Sequence, residues 1–69
     1  MTVVSAFVNG TPVTLGAGTT VDDLLASTGH RPTGIAVAIN REVVPRSRWS
    51  RTCVVDDDQV EIVTGVPGG

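Results

Sequence analysis

No lysine occurs in this chain, and all five basic residues are arginines. Schiff-base chemistry is therefore excluded, and an isopeptide bond to this chain has only the N-terminal amine to use. Tyrosine is absent too, and phenylalanine and tryptophan occur once each. Nucleic-acid binding wants a basic face and stacking rings, and a formal net charge of −2 supplies neither. The one cysteine, Cys53, rules out an intramolecular disulfide and suits a reducing, cytoplasmic setting. With a single histidine beside it, the usual four-ligand zinc set cannot be assembled. No apolar run approaches the ~20 residues that span a bilayer. Met1-Thr2-Val3-Val4-Ser5 lacks the basic start and apolar stretch of a signal peptide.

What remains is a small folded unit. Hydrophobic residues make up 41% of the 69 positions, too many for a disordered tail. Yet the chain is too short to wall off a deep substrate cleft. These proportions favour a carrier, adaptor or binding module over a self-contained enzyme, and no catalytic residues stand out.

Residues 3–8 read as a strand from their β-branched and aromatic content. Asn9-Gly10 follows, the turn dipeptide of a two-residue hairpin. Thr11 to Leu15 then returns with Val8 facing Thr11, Ala6 facing Val13 and Val4 facing Leu15, which puts Val4, Ala6, Val13 and Leu15 on the core face. Pro12 should sit where no ladder bond is donated. Thr19 or Thr20 caps a helix of about ten residues, with Asp22 and Asp23 in its first turn and Val21, Leu24, Leu25 and Thr28 as its apolar stripe. Gly29 is positioned to end it.

Ile35–Asn40 reads as a strand with Ile35, Val37 and Ile39 on one face and Ala36 and Ala38 on the other. A turn at Asn40-Arg41 leads to a short strand over 42–44, an irregular turn around Trp49, a brief extended piece at Cys53, and a solvated turn at Asp56-Asp57-Asp58. The last strand, 59–64, alternates Val60 and Ile62 inward with Gln59, Glu61 and Val63 outward. The order hairpin, helix, strand, short strand, long strand predicts an α+β fold: a mixed sheet holding one main amphipathic helix in a β-grasp, with the first and last strands parallel at its centre.

Residues 1–64 form this domain, and 65–69 a tail with three glycines in five residues. Extended, five residues reach ~17 Å. Gly68-Gly69 offers no Cβ, so it can thread a channel closed to other residues. The tip is a carboxylate, a poor electrophile until a partner activates it. The unhindered glycine carbonyl then lets that partner aim oxyanion donors at it.

The chain resembles the ThiS family of ubiquitin-like sulfur carriers. The matching segments are Val8-Asn9-Gly10, Gly18-Thr-Thr-Val-Asp-Asp-Leu-Leu25, Gly34-Ile-Ala-Val-Ala-Ile-Asn40, Val43-Val-Pro-Arg46 with Trp49, Asp56-Asp-Asp-Gln-Val-Glu-Ile-Val63, and Gly68-Gly69. Two positions depart from the pattern: Asp57 stands where the family commonly has glycine, and Pro67 stiffens the tail before the glycine pair. The resemblance implies thiazole synthesis for thiamine. A ThiF-type adenylyltransferase would activate the Gly69 carboxylate with ATP and Mg²⁺, while Gly65, Val66, Pro67 and Gly68 thread its active site. A cysteine desulfurase or sulfurtransferase would supply sulfur, and a ThiG-type thiazole synthase would receive it from the thiocarboxylate. The carrier itself would bind no cofactor or metal. A molybdopterin-type sulfur carrier shares fold and tail, and a ubiquitin-like protein modifier is the alternative of another class.

Phe7 and Val63, with Ala36 and Ala38 near them, are expected to meet on the outer sheet face as a docking patch for the activating enzyme. Trp49 reads as a packing anchor, Cys53 as structural, and His30 as a charge at the helix C-terminus. Arg46, Arg48 and Arg51 form a basic group that either meets an acidic partner or solvates the surface.

Overall fold

The computed structural model describes residues 2–29 and 33–65. Five strands form one mixed sheet: β1 (Val3–Val8), β2 (Thr11–Gly16), β3 (Ile35–Ile39), β4 (Glu42–Val43) and β5 (Gln59–Thr64), in the spatial order β2-β1-β5-β3-β4. One helix, α1 (Val21–Ser27), and a 3₁₀ segment, Arg46–Arg51, complete it. β1 and β5 are parallel neighbours at the centre and every other pairing is antiparallel. The expected β-grasp arrangement is the observed one.

The hairpin follows its turn chemistry. Asn9 and Gly10 both take positive φ (50° and 81°), and the pairings Val8–Thr11, Ala6–Val13 and Val4–Leu15 are those expected. Pro12 faces Phe7 at a pair between two hydrogen-bonded ones, so its missing N–H breaks no rung. On the core face Ala6 is fully buried, whereas Val4 is only half-buried.

Thr20, not Thr19, caps α1. Its Oγ1 accepts from Asp23 N–H at 3.1 Å, and the Asp23 carboxylate accepts from Thr20 N–H at 3.2 Å. This reciprocal pair satisfies two donors that the helix start leaves open. The helix is seven residues long, shorter than expected, and Thr28 lies exposed beyond it. The Ser27 and Thr28 hydroxyls donate back to the Leu24 and Leu25 carbonyls, closing the last turn, and Gly29 at φ 76° turns the chain away. Val21, Leu24 and Leu25 are buried against the sheet, each worth about 1.5–3 kcal/mol of transfer free energy.

The extended stretch after the 3₁₀ segment, residues 52–54, seats the helix through an isolated bridge between Thr20 and Cys53. Val21 N–H donates to Thr52 C=O and Val54 N–H to Thr19 C=O, both at 2.9 Å. Val54 and Trp49 join Val37, Val60 and Ile62 in the core. Trp49 Nε1–H reaches Val44 C=O at 2.9 Å, so the ring is buried without stranding its donor. Asp58 corrects the expectation of a wholly solvated acidic turn. It is 7% exposed, its Oδ2 accepts from Val55 N–H at 2.9 Å and its Oδ1 from Asn40 Nδ2 at 3.0 Å. Asp56 Oδ1 accepts from Ser5 N–H at 2.8 Å, tying the same turn to β1.

Candidate functional site: the tail base and the outer sheet face

The tail leaves the sheet where β5 runs out. Thr64 is the last strand residue, paired with Ile35, and Gly65 follows at φ 76°. That conformation is strained for any residue with a Cβ, although no atom stands within 4 Å of where one would be. Gly65 is therefore favoured by its backbone angle rather than by space, and the extended conformation of β5 ends with it. The remaining tail calls, Val66, Pro67, Gly68 and Gly69, lie outside the described residues, as does His30.

Beside this exit the outer face is apolar. Val63 is 54% exposed and its Cα partner is Ala36; Ala38 pairs with Glu61 on one side and Val43 on the other. Val43, 74% exposed, extends this apolar face across Ala38 toward the Asn40-Arg41 turn, level with Glu61 and three residues back from the end of β5. It was not expected there. The two-residue turn at Asn40-Arg41, with both residues at positive φ, fixes Ile39 opposite Glu42 and Ala38 opposite Val43, so the hairpin rule applied to Asn9-Gly10 finds it.

Phe7 does not meet Val63. The parallel register sets Phe7 opposite Gln59, four residues short of Val63, or ~13 Å along the strand. Phe7 lies instead between Pro12 and Gln59, half-buried, with Glu61 between it and the Val63 cluster. The register comes from main-chain bonds, Phe7 N–H to Asp58 C=O and Asn9 N–H to Val60 C=O, each 2.9 Å. No turn sets it, so nothing local in the sequence announces it.

Two asparagines hold β5 in place from either side. Asn9 Oδ1 accepts from Ile62 N–H at 2.8 Å and its Nδ2 donates to Ile62 C=O at 3.2 Å. Asn40 Oδ1 accepts from Gln59 N–H at 3.0 Å, while its own N–H donates to Gln59 C=O at 2.9 Å. The strand that leads to the tail is thus fastened on both flanks, at Gln59 and at Ile62.

Cys53 is exposed, its Sγ 3.8 Å from the Gly18 carbonyl oxygen, in the bridge that pairs it with Thr20. Among the described residues no group of three or more histidine, cysteine, aspartate or glutamate side chains is placed to hold a metal ion. No helix among them is long and apolar enough to cross a membrane.

Comparison with known proteins agrees with this architecture. The ThiS family model matches residues 3–69. The sulfur carrier protein ThiS of Escherichia coli (strain K12) is 42% identical over 53 residues, covering 77% of this chain and 80% of that protein. A thiazole synthase of Magnetococcus marinus is 39% identical over 61 residues, 88% of this chain but 19% of that protein's length. The crystal structure of the thiamine biosynthesis protein ThiS from Geobacter metallireducens superposes with a TM-score of 0.76 at 30% identity, covering 96% of this chain and all of that one. A mixed sheet gripping one helix, a tail strand clamped by two asparagines and a match that continues through the glycine pair converge on one assignment: the chain belongs to the ThiS family.

Proposed function

We propose that this chain carries sulfur for the thiazole ring of thiamine, on the carboxylate of Gly69. The observation that carries the reading is the extent of the family match, which runs through Gly68-Gly69 and so includes the tail as well as the body. The chain acts as a co-substrate; the catalysis belongs to its partners.

In the first step an adenylyltransferase of the ThiF type joins the Gly69 carboxylate to the α-phosphate of ATP, with Mg²⁺ in the partner's site, and pyrophosphate leaves. The outer sulfur of a persulfide on a cysteine desulfurase or sulfurtransferase then displaces AMP to give an acyl disulfide. A thiol attacks the enzyme-side sulfur of that bond, leaving a disulfide behind and the tip as a thiocarboxylate. That group is anionic and nucleophilic at neutral pH, and acyl transfer releases its sulfur. A thiazole synthase is the acceptor, and the occurrence of a similar segment within a protein named thiazole synthase supports the pairing.

The body contributes direction and grip. Gly65 ends the extended run of β5, and Val63 and Ala36 near that end, continued by Ala38 and Val43 toward the Asn40-Arg41 turn, give the activating enzyme an apolar surface. Phe7 contributes a second contact further along the face.

Intact mass tests the reading. Incubation with the cognate adenylyltransferase, ATP, Mg²⁺ and a sulfur donor should raise the mass by the difference between one sulfur and one oxygen. Deleting Gly69 should abolish the change. An unaltered mass with an enzyme that thiolates its own carrier in parallel would overturn the proposal.

A further inference from the structure

We infer that the open edge of β3 at Ile35, past the point where Val44 stops pairing with Val37, is a docking site for an extended, acidic segment of a partner protein, which adds to the sheet as a further strand. β3 has five residues, but β4 pairs only with Ala38 and Ile39. Val44 extends the pairing by one bond, its N–H donating to Val37 C=O at 2.8 Å. There it stops, because the Val44 carbonyl is taken by Trp49 Nε1 at 2.9 Å. The backbone alternates sides along a strand, so Ile35 turns its N–H and C=O to the same edge as Val37 and finds no strand there among the described residues.

Next to this gap lies an open groove of about 250 Å³, lined by Ile35, Val37, Val44, Pro45, Arg46 and Trp49 together with Ala36 and Val43 of the outer face. Unpaired main-chain groups beside an apolar pocket are what strand addition requires: the backbone supplies affinity and alternate side chains fill the pocket. The opposite edge of the sheet, β2, is blunted by Pro12, which removes a donor from its outer side.

Charge selects the occupant. The Arg46 guanidinium sits over the Trp49 ring, 5.5 Å from its centroid, at the wall of the groove. Arg48 and Arg51 follow on the same 3₁₀ segment, and no ion pair engages any of the three among the described residues. A second copy of this chain would bring three more arginines to the same edge, so self-pairing is disfavoured. An acidic strand is matched in both backbone and charge. Ala36 and Val43 belong both to this groove and to the outer face, so the added strand borders the Val63 patch.

The test is a ¹⁵N-resolved titration of the whole chain with a capped hexapeptide alternating valine and glutamate, against its valine–lysine counterpart. The acidic peptide should shift the Ile35 and Val37 amides and the Trp49 indole N–H, and bind at least about tenfold more tightly than the basic one. N-methylating its valines should abolish binding, and Arg46→Glu should reverse the charge preference while leaving the rest of the spectrum folded. Absence of shifts at millimolar peptide, shifts confined to β1 or β2, or equal affinity for both peptides would each overturn the proposal. Two further results would reassign the groove: concentration-dependent shifts at these amides without peptide, to a second copy, and markedly tighter peptide binding by a chain ending at Gly65, to the tail.

Discussion

Asn9 and Ile62, fifty-three positions apart, form a two-way amide clamp: the Asn9 side chain accepts from the Ile62 N–H and donates to its carbonyl. It does for β5 what another residue of β1 would have done, at the point where β1 has already turned. One residue therefore shapes the hairpin through its positive φ and extends the central parallel pairing through its side chain. On the other flank Asn40, at φ 52°, accepts from Gln59 N–H with its side chain and donates to Gln59 C=O with its main-chain N–H, while its Nδ2 donates to Asp58.

The two roles of Asn9 separate by substitution. Asn9→Gly keeps the turn and removes the clamp, and should cost about 1–2 kcal/mol for the two lost bonds. Asn9→Ala removes the clamp and also strains the turn, adding about 1–2 kcal/mol. Urea unfolding should show two successive drops in midpoint at constant slope. Equal midpoints for Asn9→Gly and the parent would show that the clamp contributes nothing.

The acidic turn holds opposite effects in adjacent residues. Asp57 stands at φ 68°, so Asp57→Gly should relieve strain and stabilise the domain by about 0.5–1 kcal/mol. Asp58→Ala leaves the Val55 N–H and the Asn40 amide without their acceptor and should destabilise by about 2–3 kcal/mol. Thermal unfolding of the two variants should bracket the parent.

Local chemistry made much of this fold legible. Asn9-Gly10 set the hairpin register, Thr20 and Asp23 set the helix start, and alternation set the inward face of β5. What escaped was long-range. The parallel register that separates Phe7 from Val63 depends on main-chain bonds between residues about fifty apart. The burial of Asp58 depends on Asn40, eighteen positions earlier. Val43 was within reach, because the Asn40-Arg41 turn obeys the same pairing rule as the first hairpin.

The outer face yields a graded prediction. Val63→Asp and Val43→Asp place charge on residues that are already solvent-exposed, so stability should change by less than about 0.5 kcal/mol. Val63 sits next to the end of β5 and Val43 two residues back along the same face, and the double variant should lower kcat/KM for adenylation at least about tenfold through lost apolar contact. Phe7→Asp lies farther from the exit and should affect adenylation less. Equal kinetics for the double variant and the parent would remove this face from the docking surface.

Gly65 allows the direction of the tail to be tested apart from its chemistry. Gly65→Ala introduces no clash, since nothing lies within 4 Å of the added carbon. It does disfavour the φ of 76° by about 1–2 kcal/mol. At the end of β5 that strain is relieved by letting the chain continue straight, so the unfolding midpoint should barely move. The carboxylate at Gly69 keeps its reactivity but starts from the wrong heading, and the adenylating enzyme must restore the bend on binding. The expected result is a rise in KM of about five- to thirtyfold, with kcat nearly unchanged. Gly65→Asn, whose side chain tolerates left-handed geometry, should recover part of the loss. If both variants raise KM equally, or if kcat falls instead, Gly65 serves as slack in the arm and does not set its heading.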